Sequence, residues 1–378
     1  MINHNVIITD LQTRKAFDIY NICNKLGYKI IGTYEGNNFE YFILNLIYAK
    51  KIQSLGNKSF FVDLKRLLEK LPDKTVFFPT EERTILNFYK YLENNQPDNL
   101  YYNLPSQSIF ELVQDKGKFS AFCIKNNFPV PIEYKYDKLL SMNTLPCNLI
   151  IKPKIGSGSM GIRFIDSIDE LQQCSNLDFG DYIIQERLDN SRNVEGAFFL
   201  FDKGTMISYY GHKRIRTFPE NGGVTVYSKC ELNTTLQNLG EKLLKNLNWS
   251  GLAMVEFLYD HKTQAYKIIE VNPRVWGSIM LSEFCGSNMI ENYIKTSIGE
   301  NVIKPHVNDK TYIRWVFPWD VLSYIRKKGN IKNFWDFSSN KTCYINFTYS
   351  SLCRSILFMV YNIIDPKKIS KLFKKIFK

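Results

Sequence analysis

Two apolar segments of the sequence, residues 253–259 and 265–271, are joined by the short polar stretch 260–264. This pattern predicts an antiparallel hairpin centred on Thr263, because a connection of this length lets the chain return alongside itself. Side chains alternate between the two faces of such a ladder, and the turn fixes which positions oppose each other. The hairpin therefore determines which polar side chains of this region share a face.

Glu256 and Glu270 each lie about seven residues from Thr263, so we expect them to face each other, with Asn272 further along the same face. Apolar neighbours would keep this pair largely dry, and uncompensated buried charge is costly. A cation is therefore expected between the carboxylates. Two carboxylates and an amide are oxygen ligands that suit Mg²⁺. The alternative, a solvated hairpin with scattered glutamates, stays open at this point.

Length and composition indicate a folded protein of two or three domains. The chain has 378 residues, of which 44% are hydrophobic and 15% aromatic, so disorder is not expected as its main state. A formal net charge of +12 attracts polyanions, including nucleotides, nucleic acid, acidic glycans and anionic membranes. Charge alone does not choose among these partners.

The cysteines and the N-terminal residues favour a cytoplasmic protein. The eight cysteines are dispersed without a CxxC pair, which is typical of reduced thiols. Residues 1–10 lack a basic region followed by a long apolar run, so we expect no signal peptide. No apolar run reaches the length needed to cross a bilayer.

The first 110 residues read as an open α/β unit. A strand over 5–9, a helix over 14–26 and a strand over 29–33 form a predicted βαβ opening. The further predicted elements are helices over 39–55 and 64–71 and a strand over 75–78. Residues 79–82 follow that strand, where open α/β sheets usually place ligands. No GxGxxG pattern follows the first strand, so a dinucleotide site is not expected here.

A glycine-rich loop connects two predicted strands, 148–152 and 162–165. Its glycines and serines let backbone N–H groups approach an anion, which is typical of a flap over phosphates, although a flexible hairpin turn is the alternative. The loop is not a Walker A motif, because no Gly-Lys-Ser/Thr follows it. Lys152 ends an apolar run, where a lysine is costly unless it meets an anion. A lysine that extends to solvent at a sheet edge is the alternative.

Lys213, Arg214 and Arg216 follow predicted strands over 181–185, 194–201 and 205–210. These three cations lie just before a glycine turn. They either form a solvated edge strand or neutralise a phosphoryl group or an anionic substrate. Arg214 is the favoured candidate of the three. His212 is interpreted as a structural histidine, with a substrate contact as the alternative.

The order of these motifs resembles the ATP-grasp superfamily. It is most similar to the carboxylate-amine ligase branch, which includes the ATP-binding halves of the carbamoyl phosphate synthetase large chain. The resemblance covers roughly residues 1–300. The matching stretches are Asp115-Lys116, residues 150–153 with the glycine loop, Gln185-Glu186 with Glu195, residues 255–257, and Glu270-x-Asn272-Pro273-Arg274. Position 127 is Asn where the family often has Gly, which is compatible because Asn also adopts left-handed backbone angles.

The resemblance implies an α/β (α+β ATP-grasp) fold. Residues 1–110 would form an N-terminal open parallel α/β domain that is Rossmann-like. Residues 111–185 would form the lid with its glycine flap, and residues 186–300 the antiparallel C-terminal subdomain with the metal site. Residues 301–378 would be an extension that is aromatic and then basic, helical and amphipathic.

The resemblance also implies the role of each site residue. Lys116 and Lys152 would contact the phosphates of ATP, with Lys152 also near the adenine. The metal ligands would be Glu256, Glu270 and Asn272, holding Mg²⁺ or Mn²⁺, usually as two ions. The other implied nucleotide contacts are the flap residues Gly156, Ser157, Gly158 and Ser159, the adenine hinge Gln185, Glu186 and Leu188, and the ribose acceptor Glu195. The implied catalytic cations are Arg274, Arg214 and Lys213, with Arg274 meeting the γ-phosphate or the substrate carboxylate.

The activity that the resemblance implies is formation of an amide or peptide bond through an acyl phosphate, with release of ADP and phosphate. The substrates would be an amine and a small-molecule or glycan-linked carboxylate. An ATP-grasp phosphotransferase or carboxylase, or a non-catalytic nucleotide-binding protein, is the alternative. Nucleic acid is not an expected partner, because the basic residues are mostly dispersed and no RNP-like or helix-turn-helix motif appears. The oligomeric state stays open.

The final residues, 366–378, carry six lysines. On a helix, Ile369, Leu372, Phe373 and Ile376 would share one face, a pattern attracted to anionic lipid. This indicates peripheral contact with the inner face of a membrane, in which case a lipid-linked glycan becomes a candidate substrate. The alternative is a terminal helix packed on the enzyme with a solvated basic side.

Overall fold

A computed structural model describes residues 4–48, 50, 52–71, 73–156, 161–188, 194–218, 224–316, 320–321, 323, 342–344 and 352–364. Three sheets organise these residues: a parallel sheet of five strands, an antiparallel sheet of four, and a largely antiparallel sheet of seven. The predicted α/β class is confirmed.

The first sheet is parallel and has the strand order β3-β2-β1-β4-β5. The side chains of β1 and β4 are buried on both faces, as expected when helices cover both sides. The βαβ opening predicted from the sequence is confirmed. The strands are β1 (Asn5–Ile8), β2 (Lys29–Tyr34), β3 (Gln53–Ser54), β4 (Thr75–Phe78) and β5 (Leu100–Tyr101).

The helices of this unit are α1 (Arg14–Lys25), α2 (Asn38–Tyr48), α3 (Phe60–Leu68) and α4 (Glu82–Leu92). Thr13 caps α1 by accepting a hydrogen bond from the backbone N–H of Ala16, and Gly27 follows the helix at φ +81°. The predicted helix over 39–55 is wrong beyond Tyr48, because residues 53–54 pair with β2 as strand β3. Its apolar spacing fits a helix, but pairing with the sheet decides the conformation.

The four-stranded sheet forms a lid with its own core. Its order is β6-β9-β7-β8, and one face packs on the buried Leu149, Ile151, Ile165 and Leu171. Its elements are β6 (Glu133–Tyr134), α7 (Tyr136–Leu140), β7 (Leu149–Pro153), β8 (Arg163–Ile165), α8 (Ile168–Gln172) and β9 (Tyr182–Glu186).

The seven-stranded sheet has the order β14-β13-β10-β11-β12-β15-β16. One face packs toward the N-terminal unit through residues such as Met254 and Phe198. The other face packs on α9 through residues such as Val255 and Leu243. The strands are β10 (Glu195–Asp202), β11 (Thr205–Phe218), β12 (Val224–Cys230), β13 (Gly251–Asp260), β14 (Ala265–Asn272), β15 (Tyr312–Arg314) and β16 (Thr342–Tyr344).

The remaining helices are α5 (Gln107–Gln114), α6 (Lys116–Lys125), α9 (Thr234–Asn246), α10 (Met280–Phe284), α11 (Met289–Ile298) and α12 (Leu352–Ile364). Helices α5 and α6 contribute Val113 and Phe119 to the core of the seven-stranded sheet, whereas the sequence assigned residues 111–185 to the lid. Asn127 follows α6 at φ +57°, the left-handed conformation expected of it. The boundaries of the four proposed domains stay predictions.

The described strands and helix beyond residue 300 pack on the rest of the molecule. Strand β15 pairs with β12, and α12 packs on the N-terminal unit, where Phe358 stacks on Phe17 with ring centroids 4.4 Å apart. The predicted basic segment 366–378 lies outside the described residues. Among the helices that are described, none is both long and apolar enough to cross a bilayer. The seven cysteines described with their side chains are free thiols.

Candidate functional site

The carboxylate pair predicted from the sequence is present in the β13–β14 hairpin. Glu256 opposes Glu270, and Asn272 lies further along β14 opposite Met254. A β-bulge between the Glu256 and Phe257 pairs sets this register. At the tip of the hairpin, Asp260 opposes Ala265. Without the bulge, the same register would pair Glu270 with Val255, and the side chain of Glu270 would then lie on the face of the sheet opposite to that of Glu256. The pairing is therefore as predicted, but the bulge rather than the turn centre produces it.

Burial and the surrounding charges shift the pKa values of the two carboxyl groups in opposite directions. Burial raises the pKa of Glu256 to about 7, the charge of Glu270 adds to the shift, and Arg214 opposes it. Burial also acts to raise the pKa of Glu270, but Lys116 and hydrogen bonds with Glu256 and Asn272 hold that pKa below its usual value. The Nδ2 of Asn272 donates to Glu270 at 3.1 Å. A dication would neutralise both carboxylates at once.

The donor set fits Mg²⁺ only with help from another ligand. The residues that the structure describes contain no group of three or more His, Cys, Asp or Glu side chains placed to hold a metal. Glu256, Glu270 and Asn272 offer two carboxylates and an amide oxygen. Mg²⁺ is commonly held by one or two carboxylates together with the phosphates of a nucleotide. The site therefore suits a metal that arrives with a phosphorylated ligand.

Three cationic side chains surround the carboxylate pair. The Nη2 of Arg214 donates to Glu256 at 3.0 Å. The Nζ of Lys116 lies 3.7 Å from Glu270 and donates to the carbonyl of Gly156 at 2.8 Å. Lys152 approaches from the lid. The charges of both carboxylates act on it.

Lys152 and Gln185 lie on the face of the lid sheet that is turned toward the cleft. They lie on neighbouring strands, where Lys152 pairs with Ile183 and Gln185 with Ile150, on the face opposite the lid core. Lys152 is 7% exposed, and burial lowers its pKa to about 8 although Glu270 opposes the shift. Within the described part of the chain, no hydrogen bond reaches the Oε1 of Gln185. Buried polar groups without partners are costly, so these two side chains indicate a ligand between lid and hairpin.

The predicted adenine hinge meets the hairpin through an ion-pair network. Glu186 accepts a hydrogen bond from the backbone N–H of Ile132 at 2.9 Å and forms an ion pair with Lys267. Lys267 also lies 3.1 Å from Asp260. Leu188 is buried next to this hinge. Lys267 was missed from the sequence, although a buried lysine in an apolar strand is the same signal that drew attention to Lys152.

Two predicted residues are not brought to the carboxylate pair. Lys213 is exposed and alternates with Arg214 along β11, so it lies on the opposite face of the sheet. Glu195 opposes Phe257 on the face away from Glu256, and accepts a hydrogen bond from the hydroxyl of Tyr266 at 3.0 Å. Its role as ribose acceptor stays a prediction. Ser157, Gly158 and Ser159 of the predicted flap lie outside the described residues.

Arg274 links the site to the N-terminal unit. Its Nε donates to Glu82 at 2.9 Å and its Nη2 to the amide oxygen of Asn272 at 3.4 Å. Beside it, the buried Lys15 contacts Glu81 at 3.1 Å and the carbonyl of Val275 at 3.2 Å. The carboxylates at 81 and 82 follow β4, where the sequence predicted ligands. Lys15 was not singled out from the sequence.

His212 lies on the cleft face beside Gly196, which pairs with both His212 and Glu256. Burial lowers the pKa of His212 to about 3, and Arg214 adds to the shift, so the ring is neutral near pH 7. A Cβ at position 196 would lie 3.3 Å from the Nε2 of His212 and 2.9 Å from the ring of Phe198. Glycine at position 196 therefore leaves the space between the carboxylates and the imidazole free of a side chain.

Residues 113–278 match the family model of the ATP-grasp domain. Acetyl-CoA carboxylase 2 of Arabidopsis thaliana is 27% identical over 136 residues, which are 33% of this chain and 6% of that protein. Biotin carboxylase 1 of Bacillus subtilis is 25% identical over 181 residues, which are 42% of this chain and 38% of that protein. The matches thus take in well under two thirds of the length of these curated relatives.

Solved structures share the fold at low sequence identity. Biotin carboxylase of Campylobacter jejuni, in a β-γ-ATP complex, has a TM-score of 0.64 at 18% identity, covering 82% of this chain and 74% of that one. The biotin carboxylase domain of Hydrogenobacter thermophilus 2-oxoglutarate carboxylase, with MgADP and bicarbonate, has a TM-score of 0.60 at 15% identity, covering 82% and 73%. L-amino acid ligase of Bacillus licheniformis has a TM-score of 0.55 at 14% identity, covering 81% and 75%. The paired carboxylates, the lid above them and the match over residues 113–278 lead to one conclusion: residues 113–278 form an ATP-grasp domain.

Proposed function

We propose that this protein is an ATP-dependent carboxylate-amine ligase that forms an amide or peptide bond and releases ADP and phosphate. One observation carries the proposal: the facing carboxylates of Glu256 and Glu270 are surrounded by Lys116, Lys152 and Arg214, and the Oε1 of Gln185 in the lid has no hydrogen-bond partner among the described residues. This arrangement suits a triphosphate held with a dication between lid and hairpin.

The reaction needs no protein nucleophile. An oxygen of the substrate carboxylate attacks the γ-phosphorus, the bond to the β-phosphate oxygen breaks, and ADP leaves. The amine then attacks the carbonyl carbon of the acyl phosphate, phosphate leaves, and the nitrogen loses a proton. Bound Mg²⁺, or Mn²⁺, would neutralise charge on the terminal phosphates, and we infer two ions.

The residues of this chain position the reactants. Lys116 and Lys152 hold the phosphates, and Arg214 and Arg274 neutralise the charge that develops on the transferred phosphoryl group. Around the adenine, the proposed contacts are Gln185, Glu186 and Leu188. Lys213 is left out of the catalytic set, because it lies on the other face of β11.

The substrate carboxylate and amine belong to small molecules or to a glycan-linked precursor. Arg274 reaches Glu82 at the ligand-binding edge of the first sheet, which supports an acceptor pocket between the N-terminal unit and the hairpin. The L-amino acid ligase of similar fold supports amide formation. The biotin carboxylases of similar fold support a second candidate, in which bicarbonate is the phosphoryl acceptor.

The first test is a screen of carboxylic acids against amines that reads ADP release and product mass. The proposed ligase gives ADP only when both substrates are present, together with a product of the summed mass less water. ADP release that depends on bicarbonate, with no amide product, would favour the carboxylase instead.

The Glu270→Gln variant tests the site itself. We expect ADP release to fall at least about a hundredfold while the melting temperature without nucleotide is kept, because a metal ligand is lost from a folded protein. The matched control is Glu69→Gln, an exposed carboxylate at the end of α3. Normal turnover in the Glu270 variant would contradict the assignment.

A further inference from the structure

The outward face of α2 is apolar. Phe39, Phe42 and Leu46 are 60%, 61% and 54% exposed, although the opposite face of the same helix already buries Leu44 and Ile47 in the core. A surface helix normally turns charged or polar residues outward. Large apolar side chains on the outer face of a helix therefore indicate that another surface binds there.

Helix α12 repeats this pattern beside α2. Ile356, Leu357 and Val360 are exposed, while Phe358 and Tyr361 pack inward on the N-terminal unit. The two helices touch, and the hydroxyl of Tyr361 lies 3.4 Å from Glu40. The exposed apolar residues of the two helices together are called the α2–α12 surface: Phe39, Phe42, Leu46, Ile356, Leu357 and Val360.

Few acidic residues accompany the α2–α12 surface, and lysines follow it in the sequence after Asp365. Helix α12 contains no acidic residue, and Glu40 is the single acid of α2, where it already accepts a hydrogen bond from the backbone N–H of Asn37. In the sequence, the segment 366–378 begins two residues after α12 and adds six lysines and no acid. An apolar surface that is followed in the sequence by a run of lysines matches an anionic lipid surface, because lysines are attracted to lipid headgroups of opposite charge.

A second copy of the chain fits the α2–α12 surface less well. A two-fold contact would bring together two copies of a chain whose formal net charge is +12. Like charges brought together in this way repel. Lipid headgroups of opposite charge remove that conflict. We propose that the α2–α12 surface docks this protein onto an anionic membrane surface, with the lysines of residues 367–378 providing the attraction.

Co-sedimentation with vesicles tests the docking surface. The full chain is mixed with vesicles of phosphatidylcholine alone or of phosphatidylcholine and phosphatidylglycerol in equal parts, at low and at high salt. We expect binding to the anionic vesicles only, weakened by salt. Phe42→Glu should lower the partition coefficient by roughly tenfold, because it places a charge in the apolar contact.

The matched control is Val62→Glu. Val62 is 59% exposed on α3, a helix whose buried residues Phe60 and Leu64 belong to the separate core on the other face of the first sheet. This variant should bind anionic vesicles like the unmodified chain. Phe39→Ser serves as a second variant, and melting temperatures check that all variants fold. Replacing the six lysines of 366–378 by glutamine should also weaken binding.

Three results would overturn the proposal. The unmodified chain could fail to sediment with anionic vesicles. Binding could persist in Phe42→Glu and Phe39→Ser while the lysine replacements abolish it, which would leave the α2–α12 surface without a role. Analytical ultracentrifugation could show a dimer that Phe42→Glu dissociates, which would make the surface a contact between copies.

Discussion

At the scale of single residues, the functional cleft is marked by polar groups that the fold buries without satisfying. Lys152 is buried at a cost, because burial lowers its pKa to about 8 although the charge of Glu270 opposes the shift. A residue kept at such a cost contributes to binding rather than to folding. The effects of its replacement on stability and on nucleotide binding should therefore have opposite signs.

Lys152→Met should stabilise the nucleotide-free protein by roughly 1–3 kcal/mol, because it removes a buried charge and keeps the volume. The same change should abolish most of the stabilisation that Mg-ATP provides. Thermal unfolding with and without Mg-ATP measures both effects. The exposed lid lysine Lys138, replaced by Met, is the control and should alter neither. A destabilised variant that still responds fully to Mg-ATP would show that Lys152 has a structural role.

Asp18 of α1 is a second buried ionisable group. Burial raises its pKa from 3.8 to about 7, and Arg14 and a hydrogen bond with Trp315 oppose the shift. The folded state therefore keeps the proton of Asp18 over a range in which the unfolded chain has lost it. Stability should fall as pH rises from about 4 to about 7, by at most about 4 kcal/mol.

Asp18→Asn should remove this pH dependence. Its melting temperature should exceed that of the unmodified chain at pH 8 and match it at pH 4. Asp98→Asn, at an exposed loop position, should leave the profile unchanged. Parallel pH profiles for the unmodified chain and Asp18→Asn would show that this carboxyl does not titrate as described.

At the scale of elements, sequence patterns predicted the hairpin but not the β-bulge that sets the register of its two strands. The two apolar segments predicted both strands. The prediction that Glu256 faces Glu270 came from placing each glutamate about seven residues from a turn centred on Thr263. The observed tip register is centred half a residue earlier, and the bulge in β14 restores the pairing. A bulge carries no distinct sequence signal here, because Ile269 is as apolar as its neighbours. The short strand β3 was missed for a similar reason, since its pairing partner lies elsewhere in the chain.

The contact between lid and hairpin is also an element-scale feature, made by Lys267 with Glu186 of β9 and Asp260 of β13. Lys267→Met should leave both carboxylates without their cation and release β9. We expect the KM for ATP to rise roughly tenfold with a smaller change in kcat, because removing one member of a buried ion pair is costly. Lys262→Met, exposed in the hairpin turn, is the matched control. An unchanged KM would mean that β9 is held by its backbone hydrogen bonds alone.

At the scale of the whole molecule, the hydrophobic cores distinguish a base, made of the N-terminal unit and the seven-stranded sheet, from the lid. One core joins helices α1 and α2, the seven-stranded sheet and α12, and Tyr293 donates to the carbonyl of Phe77 at 3.1 Å across it. The lid has a separate core of its own. The N-terminal unit and the hairpin therefore share one core, and we expect any closure on a nucleotide to involve the lid, whose core is separate.

Glu82→Gln tests whether that base positions the chemistry. Glu82 begins α4 and orients Arg274, whose guanidinium also contacts Asn272 beside the metal site. Loss of the carboxylate charge should leave the ATP affinity nearly unchanged and lower kcat roughly tenfold, because Arg274 would lose its fixed geometry for the transferred phosphoryl group. Glu93→Gln, exposed at the other end of the same helix, is the control. A lower kcat in this variant would show that the N-terminal unit takes part in catalysis. A normal kcat would mean that this unit only holds the acceptor substrate.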